Sequence, residues 1–159
     1  DSMDNFLKLC VPLHKLALKG KWQEAKSILD KNDRLKHAAI AIGGTTLLHV
    51  AAGTKHVHFV KNLLNELQDE HIALQDNKGN TAFCFAVASG NMKIVKLLID
   101  RNPHLPTIRG GGELTPIEFA VMQGNCIMAW FLYENMTDTD FKDDDKKSLF
   151  FKSIKTGNY

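Results

Sequence analysis

The chain has 159 residues, 44% of them apolar, with 20 basic against 18 acidic residues and a net charge of +2. That composition excludes a disordered chain, and so small a charge argues against nucleic acid or an anionic membrane as the main partner. Three widely spaced cysteines, Cys10, Cys84 and Cys126, suit a reduced intracellular compartment better than a disulfide framework; no apolar run is long enough to span a bilayer and no secretory signal pattern is visible.

From the start, residues 1–10 predict a short amphipathic cap carrying Phe6, Leu7 and Leu9, with Met3 read as the native start. From Val11 the chain repeats itself. The stretch Val11-Pro12-Leu13-His14-Lys15-Leu16-Ala17-Leu18-Lys19-Gly20 returns from Thr46, Thr81, Thr115 and Ser148, at spacings of 35, 35, 34 and 33 residues. Self-similarity at such a period marks a solenoid, in which each unit buries its apolar faces only against its neighbours. A single domain, 1–159, is expected, with units at approximately 11–44, 45–79, 80–113, 114–146 and 147–159. Each predicts an inner helix, a Gly-centred turn and an outer helix, with hairpin-like loops between units. The fifth stops at Tyr159 before its outer helix, which reads as a piece of a longer protein.

Within each unit the residues have physical tasks. Thr46, Thr81, Thr115 and Ser148 place a hydroxyl at the start of an inner helix, where it can accept from an orphan N–H. Pro12 and Pro116 are expected in a first helical turn, where a missing N–H costs nothing. Ala17, Ala51, Ala86 and Ala120 let inner helices lie close. Gly20, Gly90, Gly124 and Gly157 end them in a left-handed turn. Lys55 stands in that place in the second unit, so its turn is expected to be strained or differently built.

The outer helices carry apolar residues at helical spacing. These are Trp22, Ala25, Ile28 and Leu29, then Val57, Val60, Leu63 and Leu64, then Met92, Val95, Leu97, Leu98 and Ile99, then Cys126, Ala129, Phe131 and Leu132. Two loops depart from the pattern. The turn aspartate is absent between His37 and Gly44, and Arg109-Gly110-Gly111-Gly112-Glu113 predicts a reshaped, mobile tip.

The units resemble the ankyrin repeat, with its core Thr-Pro-Leu-His-x-Ala at a period near 33. Pro12-Leu13-His14, Leu48-His49-Val50-Ala51 and Thr115-Pro116 each keep a part of it. The resemblance implies an all-α ankyrin-repeat solenoid, with His14 and His49 bridging the backbone of adjacent loops. Cys84 occupies that place in the third unit, whose loop is then expected to be held by packing of Phe83 and Phe85. Further stretches narrow the likeness: Gly20 to Leu29, Asp76 to Ala82, Arg101 to Gly110, and Trp130-Phe131-Leu132-Tyr133. They look like the N-terminal region of plant ankyrin proteins of the accelerated-cell-death type, whose array precedes a membrane domain named for a Pro-Gly-Gly motif. That likeness implies a soluble cytoplasmic array anchored to a membrane through the longer protein, with a role in defence or stress signalling. The chain contains neither the membrane domain nor its motif.

No catalytic residue, metal ligand or cofactor is expected. His56-Val57-His58 lacks the paired cysteines of a zinc site, and Cys84 and Cys126 fall on faces expected to be buried. Gly43-Gly44 and Gly110-Gly111-Gly112 are not followed by Lys-Ser/Thr and read as turns, not phosphate cradles. No nucleophile stands beside a base in a known pattern, Cys10 near His14 included. The acidic run from Asp138 to Asp145 lacks the glycine and glutamate of a calcium loop and reads as a solvated loop.

A protein partner of an ankyrin array lies on its concave face, made of turn tips and the exposed sides of inner helices. Projected here, the tips are Ile42, Thr45, Asn77, Lys78, Asn80 and Leu114, and the helix positions Thr54, Phe85, Ser89, Phe119, Met122 and Gln123. Leu18, Gly53 and Ala88 share the register of Met122. Ile42, Leu114 and Met122 are expected as apolar anchors, because a few such residues carry most of the binding energy. Lys78, Asn80, Ser89 and Gln123 would add polar specificity. The function expected is a non-catalytic protein-binding module; the alternative is an assembly module that associates with itself or docks on a downstream membrane domain.

Overall fold

The computed structural model of the protein describes residues 2–136. The acidic run from Asp138 and the fifth unit, with Ser148, Phe150, Phe151 and Gly157, lie outside the described residues. Four helix–turn–helix units stack side by side. Helices α1 (Ser2–Lys19), α3 (Leu47–Ala52), α5 (Ala82–Ser89) and α7 (Pro116–Met122) form the inner row, each against the next. Helices α2 (Trp22–Lys31), α4 (Val57–Glu66), α6 (Met92–Arg101) and α8 (Cys126–Glu134) lie behind them.

One apolar core runs through the stack. Ala17, Ala51, Ala86 and Ala120 are all fully buried, and their small side chains set the inner helices close together. From the outer row come Trp22, Leu29, Val60, Leu63, Val95, Leu98 and Leu132. Trp22 meets Phe59 edge-on, with ring centroids 5.3 Å apart. Phe59, Ile94 and Met128 are also core residues, and the helical-spacing pattern had left them out.

One loop between units is a hairpin. Strand β1 (Ala39–Ala41) pairs antiparallel with β2 (Thr45–Thr46), and Gly43 and Gly44 turn between them at φ of 87° and 76°. In the next loop, Asp76 Oδ1 accepts from the N–H groups of Lys78 and Asn80, both at 2.9 Å, and Asn77 N–H donates to Gly43 O at 2.8 Å.

Several expectations need correction. The N-terminal cap and the first inner helix are one helix, and Pro12 lies in its middle, not its first turn. Pro12 is exposed, so water can serve the Lys8 carbonyl that its missing N–H leaves without a helix partner. Thr81 makes no side-chain cap; its buried hydroxyl faces the Cys84 thiol at 3.7 Å. The turn at Lys55, by contrast, is differently built as expected, with no left-handed residue. Gly53 is right-handed at φ −81°, Thr54 Oγ1 donates to Ala51 O at 2.6 Å, and His56 N–H donates to Thr54 Oγ1 at 3.1 Å. Cys126 is exposed, because Met128, Ala129 and Leu132 supply the buried face of α8.

Candidate functional site

The inner helices present their unburied sides as one surface. Leu18, Gly53, Ala88 and Met122 fall at the same register of successive units. Leu18 and Met122 are exposed large apolar residues; Gly53 and Ala88 between them have almost no bulk. The result is an open groove of about 400 Å³ lined by Gly53, Asn80, Cys84, Phe85, Ala88, Ser89 and Phe119. Phe85 is half-buried and rests edge-on against the His49 ring, centroids 5.3 Å apart.

The groove wall is held by residues that tie one loop to the next. His49 Nε2–H donates to Asn80 O at 2.8 Å, while its Nδ1 lies 3.1 Å from Thr46 N and 2.8 Å from Thr46 Oγ1. A carbonyl can only accept and a backbone N–H can only donate, which assigns the neutral tautomer with its proton on Nε2. Burial pushes the imidazole pKa below its ordinary value, and the Asn80 hydrogen bond opposes this without reversing it.

Asn80 continues the chain of ties. Its Oδ1 accepts from Gly111 N–H at 2.7 Å. This corrects the expectation that packing alone holds the third loop: Phe83 is in the core, Phe85 packs on His49, and the amide of Asn80 makes the link. Cys84 lies beneath Gly110, where a Cβ would come within 2.9 Å of its Sγ. Burial raises the Cys84 thiol pKa, so it stays protonated and is no nucleophile.

In the fourth unit Glu118 fills the histidine's place. Its Oε1 accepts from Thr115 N–H at 3.2 Å and from Thr115 Oγ1 at 3.0 Å, and lies 3.6 Å from Arg109 Nη1. Arg109 Nη1 also donates to Glu113 O at 2.8 Å, and Gly110 N–H donates to Leu114 O at 2.8 Å. The glycine loop is reshaped as expected, with Gly112 and Glu113 at φ 70° and 62°, and these bonds pin the tip expected to be mobile. The ring of His14, expected to bridge loops as that of His49 does, makes no hydrogen bond among the described residues. Val11 stands mid-helix where Thr46 offers a hydroxyl and an N–H.

A family profile described as ankyrin repeats, in three copies, matches residues 13–109 and, in an overlapping placement, 48–145. The chain belongs to the ankyrin-repeat family. It is 40% identical over 88 residues to the interferon antagonist OPG039 of monkeypox virus, covering 55% of this chain and 30% of that protein. It is 40% identical over 89 residues to the interferon antagonist OPG040 of vaccinia virus (strain Western Reserve), with the same coverage. It is 32% identical over 108 residues to the probable E3 ubiquitin-protein ligase XBOS32 of Oryza sativa subsp. japonica, covering 67% of this chain and 21% of that protein. The alignments thus span less than a third of each of these curated relatives.

In this ankyrin array the groove gathers four of the expected partner-binding residues: Asn80, Phe85, Ser89 and Phe119. Gln123 is exposed at the end of α7, beside Met122. Ile42 is fully exposed at the hairpin tip, and Asn77 and Lys78 are exposed at the next tip. Thr45, Thr54 and Leu114 are half-buried. Thr45 pairs with Ala41 in the hairpin, and the Thr54 hydroxyl is engaged in its own turn. Gly53, Cys84 and Ala88 complete the groove; Gly53 and Ala88 are signalled in the sequence by small size at the register of Leu18 and Met122, whereas Cys84 stands at the register of His49. Among the described residues no group of three or more histidine, cysteine or acidic side chains could hold a metal ion, and no helix is long and apolar enough to cross a membrane. His56 spends its Nε2–H on Leu18 O, at 3.0 Å.

Proposed function

We propose that this chain is a non-catalytic module that holds a protein partner on its concave face, centred on the groove between Phe85 and Phe119. The observation that carries this reading is the register Leu18–Gly53–Ala88–Met122, in which two small residues leave a depression flanked by exposed apolar ones. An apolar partner side chain entering there would cover both phenylalanine rings; full burial of such a group is worth about 1.5–3 kcal/mol. Lys78, Ser89 and Gln123 stand where a polar rim would set register. Repeats of this family serve as interaction modules, and the name of the viral relatives, interferon antagonist, fits a chain that works by occupying another protein.

The finer reading is that the module serves defence or stress signalling, within a longer protein anchored at the cytoplasmic face of a membrane. It rests on the plant-type stretches quoted above, and XBOS32 is a plant relative consistent with that direction.

Affinity capture from a cell extract with the chain and with its Ala88→Arg variant tests the groove. Ala88 is exposed, so the variant should keep its circular dichroism spectrum and Tm. Proteins held by the chain and lost by the folded variant support the reading. Capture of the same proteins by both removes the groove as the site.

A further inference from the structure

The outer helices form a second face, on the side of the array away from the groove. At one register α2, α4, α6 and α8 carry Gln23, His58, Lys93 and Ile127; at the next turn they carry Lys26, Lys61, Lys96 and Trp130. Three units therefore place polar or basic side chains at these positions. The fourth places Ile127, 74% exposed, and Trp130, 63% exposed. These positions face solvent whether or not a further unit stacks alongside, since Lys61 and Lys96 are exposed with a unit beyond each. Continuation of the stack therefore does not account for the two apolar residues. Helix α8 is apolar on both sides: Met128, Ala129 and Leu132 meet the core while Ile127 and Trp130 face outward. Trp130 lies stacked on Tyr133, centroids 5.7 Å apart and planes at 16°. Two large apolar side chains one turn apart where neighbouring units are polar form an exposed apolar patch of the kind found at interaction sites, and tryptophan is among the residues enriched at binding hot spots.

The surrounding charge states what would cover it. Lys96 Nζ stands 5.5 Å from the Phe131 ring centroid, beside α8. Among the described residues Lys61, Lys93 and Lys96 make no ion pair. A basic row thus leads across the outer helices to Trp130. One turn further along the same helices stand the exposed acids Asp30, Asp100 and Glu134. A flat anionic bilayer would meet both rows, whereas a polypeptide one element wide can lie on the lysines alone. A second copy of the same patch would set lysine against lysine.

We infer that Ile127 and Trp130, with Lys93 and Lys96, dock an acidic segment of a partner protein that carries an apolar anchor. The apolar anchor lies on Ile127 and Trp130, and its carboxylates face the lysines. Such rim charges raise the encounter rate and choose among partners. This surface does not depend on the groove reading.

Selection of random displayed dodecapeptides on the chain, counter-selected on the I127K/W130K double variant, tests it. That variant gives the fourth unit the residues the third already carries at Lys93 and Lys96, so it should fold. The retained peptides are expected to be rich in Asp and Glu and to carry Leu, Phe or Trp. Their affinity, read by fluorescence anisotropy, should fall by about tenfold or more on I127K/W130K. It should fall by about threefold or more on K93E/K96E, and also with added salt. If the double variant fails to fold, K93E/K96E, which alters exposed side chains alone, carries the test. Peptides without acidic enrichment, peptides that bind the variants equally, or none retained after counter-selection overturn the inference. Three other results also overturn it by naming another occupant: sedimentation with phosphatidylserine vesicles that requires Trp130, a doubled mass in light scattering abolished by W130K, or faster hydrogen exchange across residues 147–159 in W130K.

Discussion

His49 and Asn80 close the seam between the second and third repeats: the imidazole donates from Nε2 to the Asn80 carbonyl at 2.8 Å while Nδ1 accepts from Thr46 N–H at 3.1 Å. Only the neutral ring can do both, and burial holds its pKa below the ordinary 6.5. A histidine whose folded pKa is depressed contributes stability above the unfolded pKa. That contribution is lost as pH falls from 6.5 towards the lower folded value, because the unfolded chain takes up the proton first. Tm should therefore hold level from about pH 8 to about pH 6.5 and decline below it. In His49→Gln the decline should be shallower, and equal steepness in the two chains would dismiss His49 as its cause. At neutral pH His49→Ala should cost about 1–3 kcal/mol, since it strands a buried N–H and a carbonyl.

Gly110 has no room for a side chain. A Cβ there would meet the Asn80 side-chain amide and come within 2.9 Å of Cys84 Sγ. Gly110→Ala should destabilise by about 1–3 kcal/mol, the usual cost of overpacking, seen as a lower urea midpoint at unchanged slope. Cys84→Ala added to it should recover part of the loss, because one of the two obstructing groups is gone. A Gly110→Ala chain as stable as the parent would mean that the loop moves aside and that Asn80 does not pin it.

The period of the repeat was legible in the sequence because Thr46 and Thr115 cap helices, Thr81 keeps their place without capping, and Gly20, Gly90 and Gly124 end helices by local chemistry. What escaped was set by contacts across distance or by a missing phase. Asn80 reaches Gly111, 31 residues away, and nothing in its neighbours announces that bond. Helix α8 is apolar nearly all round, so a 3.6-residue period does not say which side is buried, and Cys126 was placed inwards where Met128 belongs. Pro12 resembles the Pro116 of a first turn, yet the preceding residues carry helix straight through it. The groove was half legible: Phe85, Ser89 and Phe119 were named as surface, but the depression comes from what Gly53 and Ala88 lack.

Two turn glycines should respond to alanine with opposite sign. Gly90 is left-handed at φ 74°, and a Cβ there meets Asn125 Nδ2 at an ordinary 3.5 Å. Its substitution should cost about 1–2 kcal/mol from backbone strain alone. Gly53 is right-handed at φ −81°, with no atom closer than 3.6 Å to a Cβ. Gly53→Ala should stabilise by about 0.4–1 kcal/mol by restricting the unfolded chain. Thermal melts of the two variants decide it, and a loss at Gly53 would show that the turn at Lys55 is strained after all.

Arg101 on α6 caps the end of α4 in the preceding repeat. Its Nη1 and Nη2 donate to the carbonyls of Leu64 and Leu67, and its Nε donates to Asp69 Oδ1 at 3.0 Å. The two carbonyls belong to buried residues at a helix C-terminus, which favours a cation, and Leu64 O also accepts from the Leu67 N–H at 3.2 Å. Asp69 is 92% exposed, so its ion pair is screened. The two halves of the contact should separate on mutation. Arg101→Ala should cost about 1.5–3 kcal/mol, the range for hydrogen bonds to a charged group. Asp69→Ala should stay within about 0.5 kcal/mol. Arg101→Lys should recover only a minor part, because a single ammonium cannot span two carbonyls as the planar fork does. Urea unfolding of the three variants measures this. If Asp69→Ala costs as much as Arg101→Ala, the exposed ion pair, not the carbonyl cap, holds the second and third repeats together at this edge.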